Sequence, residues 1–189
     1  LMKMKVESSA PGKLILFGEH ASSRKKPALV FAVNLRLKAV LQPTNKAKTD
    51  KQILLTSNAL NLERIPYPST KLALVSEAIS CFYDATGCVH EPLELVISSE
   101  ILPGFGSSAA AIVATLGAFD AYYNTKLSAM DILMLGLKAN YAIKGYGSGL
   151  DIASAVFGGL IHYKKGLEPR HLPFKGLNLV VGNTKVKAP

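Results

Sequence analysis

Lys13 opens the apolar run Leu14-Ile15-Leu16-Phe17, which closes on Gly18-Glu19-His20. An ammonium at the head of an apolar strand must leave the core or find an anion. It can snorkel to water, or it can neutralise a transferring phosphate or assist a hydroxyl nucleophile. Glu19 and His20 follow in a glycine-started turn, either solvated or holding a polar substrate. A second stretch is Pro103-Gly104-Phe105-Gly106-Ser107-Ser108, followed by the apolar run Ala109 to Phe119. Glycines let a backbone approach a ligand, and the first turn of a helix offers free N–H groups and a positive dipole end. Together these make an anion site. One serine can cap the helix while the other reaches a phosphate or a metal ion. The alternative is a capped turn before a core helix. The GxxxxGK[ST] pattern is missing, so this is no Walker-type loop. A third stretch, Gly145-Tyr146-Gly147-Ser148-Gly149-Leu150-Asp151, puts a carboxylate near a new helix start. Asp151 can cap that helix, or orient and accept a hydroxyl proton during phosphoryl transfer.

The elements around these stretches are legible from periodicity. Strands are expected at Leu14–Phe17 and Ala28–Val33, with Leu35–Leu41 continuing or pairing with the latter. Asn45 to Gln52 is polar and lysine-rich, a loop. Ile53–Thr56 is a short strand, and Pro66 and Pro68 mark a linker. Helical spacing runs from Ser69 to Gly87, with Ser69 or Thr70 as N-cap and the glycine past the end. Further strands are expected at Leu93–Ile97, Leu160–Tyr163 and Leu177–Val181. A serine-capped helix is expected over Ser128–Lys144 and a short one near Ile152–Val156. Strands come mostly first and helices later, which favours an α+β fold over a regular alternating sheet.

Composition narrows the class. The 189 residues are 49% hydrophobic and 19% charged, a packed globular chain and not a disordered one. The formal net charge of +9 suits nucleic acid, anionic membranes or small polyanions such as nucleotides. The lysines and arginines are scattered, without the interleaved basic and aromatic residues of an RNA-binding sheet. A basic nucleic-acid module is the competing class, so nucleic acid is not the expected partner. Two cysteines, Cys81 and Cys88, show no metal spacing and are too few for a disulfide framework, which points to a reducing, cytoplasmic setting. The opening LMKMKVESS has no apolar stretch of signal-peptide length, and Ala109–Phe119 is about half of the ~20 residues that span a bilayer. No membrane partner is expected.

Taken together and in this order, the three stretches are far more specific than any one of them. The chain resembles the GHMP small-molecule kinases. SAPGKLILFGEHA and KPALVFAVNLR are similar to the opening of the mevalonate kinases. Gly104-Phe105-Gly106-Ser107-Ser108-Ala109-Ala110 is similar to the family's GLGSSAA loop. GSGLDIASAVFGG looks like the segment that carries the catalytic aspartate, and LVVGNTKVKAP is again like mevalonate kinase.

The resemblance implies a ribosomal protein S5 domain 2-like N-terminal domain over 1–189. A C-terminal ferredoxin-like domain, which normally follows, is expected to be absent from the chain. It implies transfer of the γ-phosphate of ATP, with Mg²⁺, to the primary hydroxyl of mevalonate. Phosphomevalonate is the alternative acceptor, and a homodimer an open possibility. By the same resemblance Asp151 is the catalytic aspartate and Lys13 its electrostatic partner near the γ-phosphate. Pro103, Gly104, Phe105, Gly106, Ser107, Ser108 and Asn58 are the ATP-binding positions. Glu19, His20 and Ser148 line the substrate pocket with Asp151, and Ser108 contributes to Mg²⁺. Eleven residues before Asp151 the family usually has a metal-binding glutamate, but here Asn140 stands, and no Asp or Glu occurs from Ile132 to Leu150. An amide is a weaker ligand for a hard cation, so looser or more hydrated metal binding is expected.

Overall fold

The computed structural model describes residues 4–49, 51–174, 176 and 179–182. Strand β1 spans Val6–Phe17, helix α1 Glu19–Ser23, and β2 Ala28–Pro43. A hairpin of β3, Ile53–Ser57, and β4, Leu62–Pro66, precedes helix α2, Ala73–Thr86. Strand β5, Leu93–Ser99, leads into three helices: α3 Ser107–Tyr123, α4 Ala129–Lys144 and α5 Leu150–Phe157. Short strands β6, Leu160–Tyr163, and β7, Arg170–His171, follow. The α+β expectation holds.

Several boundaries differ from the sequence reading. The first strand begins at Val6, because Val6–Gly12 pairs with β2 despite its serines and proline. The turn at Glu19 is a short helix. The stretch before α2 is a 3-10 turn, Thr70–Leu72, whose N-cap Ser69 accepts from the Lys71 N–H. Pro66 ends a strand that pairing with β3 creates. Leu35–Leu41 continues β2, the first of the two arrangements expected for it. Of the strand expected over Leu177–Val181, residues 177 and 178 lie outside the described residues, and 179–181 form no strand.

The sheet runs β4-β3-β5-β2-β6-β7, with β1 on the other edge of β2. The long β2 is the spine. Its first part pairs with β6 and its last part with β5, while β1 runs antiparallel along its length. Among the described residues only β3 and β5 pair in parallel. Helices α3 and α5 pack on β1 and β2, and α4 packs on α2, α3 and α5. Helix α3 is apolar nearly all round, as a central buried helix must be, with Ile112, Leu116 and Phe119 fully enclosed. Helix α4 starts at a capping box in which Ser128 and Asp131 satisfy each other's backbone N–H groups.

One irregularity in this frame positions the chemistry. Pairing of β1 with β2 jumps from Pro11–Arg36 to Gly12–Val33. Side chains alternate across a strand, so Ala10, which faces the core, should share its face with residues 12 and 14. The register break reverses that parity. On β2 the core residues change from Val30 to Leu37, Ala39 and Leu41 across the same point. On β1, Lys13 and Ile15 are thereby turned toward the helices.

Candidate active site

Past the break, the Lys13 N–H donates to the Phe105 carbonyl at 2.8 Å, so the glycine-rich loop is tied to β1. Gly12 permits this approach: a Cβ there would lie 2.9 Å from the Phe105 oxygen. The Lys13 side chain then runs beneath Gly106, the N-cap of α3, which takes a left-handed φ of 82°. A Cβ at Gly106 would meet Lys13 Cγ at 3.0 Å, so glycine is needed both for its backbone angle and for its lack of a side chain. The N–H groups of Ser107 and Ser108 have no backbone partner among the described residues, while Ala109 and Ala110 donate to the Gly106 carbonyl. This is the free first turn expected at an anion-binding helix start.

Lys13 ends at Asp151. The ammonium stands 3.3 Å from the carboxylate, with the lysine side chain only 14% exposed and the aspartate 49% exposed. The lysine is sheltered and the carboxylate is open to a ligand. Asp151 lies in the first turn of α5, at the positive end of the helix dipole.

Two clefts meet the first turn of α3. The smaller, about 260 Å³, is bounded by Lys13, Glu19, Asn140, Lys144, Ser148 and Asp151, with Ala109 on its α3 side. The larger, about 520 Å³, holds Ser107, Ser108 and Ala111, and is otherwise walled largely by aliphatic side chains such as Leu37, Leu60, Leu72, Ile97 and Ile101. A small polar acceptor suits the first, and a flat apolar group with a charged tail at the serines suits the second. A still larger cleft of about 680 Å³ lies elsewhere, around Gln42, Arg64 and Glu94; its polar groups are already engaged with one another, Arg64 Nε donating to Glu94 at 3.0 Å.

The structure thus gathers Lys13, Glu19, Ser148, Asn140 and Asp151 around one cleft, and Ser107 and Ser108 around its neighbour. Pro103, Gly104 and Phe105 form the turn that leads to α3, closed by the Phe105 N–H on the Leu102 carbonyl at 3.2 Å. His20 is exposed on α1 and is not among the residues bounding the smaller cleft. Asn58 borders the Arg64–Glu94 cleft, whereas its neighbours Ser57, Ala59 and Leu60 wall the apolar one.

Two contributors carry no motif signal. Tyr163, buried on β6, donates its hydroxyl to the Ser148 carbonyl at 2.6 Å and so anchors the glycine turn before Asp151. Burial pushes its pKa up to about 12, keeping the donor protonated. Its contribution depends on β6 pairing with β2, which local sequence does not announce. Lys144 is the other, legible only once the helix is known to carry it one turn beyond Asn140.

Metal donors are sparse. Among the described residues no group of three or more His, Cys, Asp or Glu converges as a metal site. The half-open Asp151 carboxylate, the Asn140 amide and the Ser108 hydroxyl fit a hydrated cation that arrives on phosphates, not one caged by protein. Among the described residues no helix is long and apolar enough to cross a membrane.

Residues 73–159 match the family description "GHMP kinases N terminal domain". Over this stretch the chain is similar to the N-terminal domain of the GHMP kinases. Along nearly its whole length it is similar to mevalonate kinases. It is 34% identical to that of Pyrococcus furiosus over 98% of this chain and 59% of the relative. It is 35% identical to that of Thermococcus onnurineus over 96% of this chain and 58% of the relative. The crystal structure of Methanococcus jannaschii mevalonate kinase superposes with a TM-score of 0.76 at 26% identity, covering 92% of this chain and 56% of that one. The chain therefore spans less than two thirds of the length of the relatives it matches.

Proposed function

We propose that this chain supplies the nucleotide loop and acceptor cleft of an ATP-dependent kinase that phosphorylates the primary hydroxyl of mevalonate. The single observation that carries the reading is the Lys13–Asp151 pair, set beneath the glycine that starts α3 and lining the smaller cleft. The base and phosphate seats follow from the walls: purine against the aliphatic side chains, phosphates on the free N–H groups of Ser107 and Ser108. Residues 1–189 act as one nucleotide- and substrate-binding unit.

In the reaction, the acceptor oxygen forms a bond to the γ-phosphorus as the bond from that phosphorus to the β,γ-bridging oxygen breaks, and ADP leaves. Asp151 orients the hydroxyl and accepts its proton. Lys13 stabilises charge on the transferring group and holds Asp151 in place. Mg²⁺, when bound, neutralises phosphate charge; Ser108, Asn140 and Asp151 are the side chains that would hold it. Glu19 and Ser148 position the acceptor, and His20 joins them only if α1 turns inward.

The test is ATP-dependent phosphorylation by the full-length protein, with mevalonate, phosphomevalonate, homoserine and galactose as acceptors. Mevalonate is expected to be preferred. Preference for either of the last two would overturn the acceptor assignment. RNA binding of steep salt dependence, with no nucleotide binding, would overturn the kinase reading.

A further inference from the structure

The acceptor cleft holds a cation that phosphate transfer does not use. Lys144 sits in the last turn of α4 and borders the same cleft as Asp151. Among the described residues it forms no ion pair. The residue one helical turn earlier, Asn140, also borders the cleft and is neutral, so the usual i,i+4 carboxylate partner is missing. No Asp or Glu lies anywhere from Ile132 to Leu150. The other basic groups near this site are committed: Lys13 to Asp151 at 3.3 Å, and Lys165 through its Nζ to the Gly147 carbonyl at 3.1 Å.

We infer that Lys144 determines acceptor specificity: its ammonium receives the carboxylate of a short hydroxy acid whose hydroxyl lies at Asp151. This rests on the kinase reading above and deepens it. A neutral sugar or polyol would leave Lys144 unmatched, while an acid supplies the missing anion. At about 260 Å³ the cleft is smaller than the ~300–1,000 Å³ of sites for drug-sized ligands, which suits such an acid. A lysine in the last turn also complements the helix dipole. That role alone affects stability without distinguishing acids from neutral acceptors.

The experiment uses the full-length protein, with initial rates on mevalonate and on 3-methylpentane-1,3,5-triol, its neutral analogue. A charged hydrogen bond in such a cleft is worth about 1.5–3 kcal/mol, so Lys144→Met should raise KM for mevalonate about 10- to 100-fold. Turnover on mevalonate, KM for ATP and both constants for the triol should stay near wild type. Lys144→Arg should restore most of the mevalonate affinity. An unchanged KM for mevalonate, an equal change for acid and triol, or a change confined to ATP overturns the inference. Wild-type protein inactive toward both acceptors overturns the functional reading itself, and this inference with it.

Discussion

The Lys13 ammonium lies 3.3 Å from the Asp151 carboxylate, although one residue belongs to the first strand and the other to the last helix. The pair is asymmetric: the lysine is sheltered under Gly106 and the aspartate is open. Acting as a unit, the two should fail as a unit. In the full-length protein Asp151→Asn is expected to lower turnover by about 10²–10⁴-fold while leaving nucleotide affinity nearly intact. Lys13→Met should cost a similar amount, and the double variant little more than either single one. Steady-state kinetics with calorimetric nucleotide titration measures this. Full turnover by the aspartate variant would remove it from the proton-accepting role.

Gly12 should tolerate no side chain. A Cβ 2.9 Å from the Phe105 oxygen must push the nucleotide loop away from β1 and break the bond from the Lys13 N–H. Gly12→Ala is expected to cost about 1–3 kcal/mol, in the range of overpacked sites. It should also raise KM for ATP and speed hydrogen exchange at the Lys13 amide. Unaltered protection of that amide would mean that the contact yields without consequence.

Tyr163→Phe removes the donor to the Ser148 carbonyl and leaves a part-buried oxygen unsatisfied, at a cost of about 1–3 kcal/mol. If Tyr163 positions the turn before Asp151, KM for the acceptor should rise with little change in KM for ATP. Equal changes in both would reduce the tyrosine to a general stabiliser.

His90 stacks on Tyr83 with ring centroids 3.7 Å apart. Burial, and secondarily the Lys51 charge, hold its pKa below the ordinary 6.5. Between its folded value and 6.5 the unfolded chain takes up a proton that the folded chain refuses, so stability rises with pH there. The penalty is absent above the ordinary value, grows as pH falls, and levels off below the folded value. Urea midpoints should therefore climb with pH from the folded value up to the ordinary 6.5, and His90→Phe should flatten part of that climb. A slope identical to wild type would exclude His90 as its source.

Asn140→Glu places a further carboxylate in the cleft beside Glu19 and Asp151. Half-saturating Mg²⁺ for turnover is expected to fall several-fold, since a carboxylate binds a hard cation better than an amide. An unchanged Mg²⁺ requirement would show that the protein's share of the metal contacts lies elsewhere.

The sequence by itself determined what depends on neighbours along the chain. Helices α2 and α4 were legible from their apolar spacing, with Ser128 and the glycines past each end as punctuation. The glycine-serine loop and the glycine turn before Asp151 were legible because those residue types suit so few backbone geometries. The sequence also flagged Lys13 as a cation in need of an anion. Pairing decided the rest. That Val6–Gly12 is strand, that β2 is one strand with partners on both edges, and that a register break turns Lys13 toward the helices are all products of contacts distant in sequence. The same holds for Tyr163, Lys144 and the separation of Asn58 from Ser107 and Ser108. Local propensity cannot encode which strand lies beside which, and a one-residue change of register moves every side chain to the opposite face.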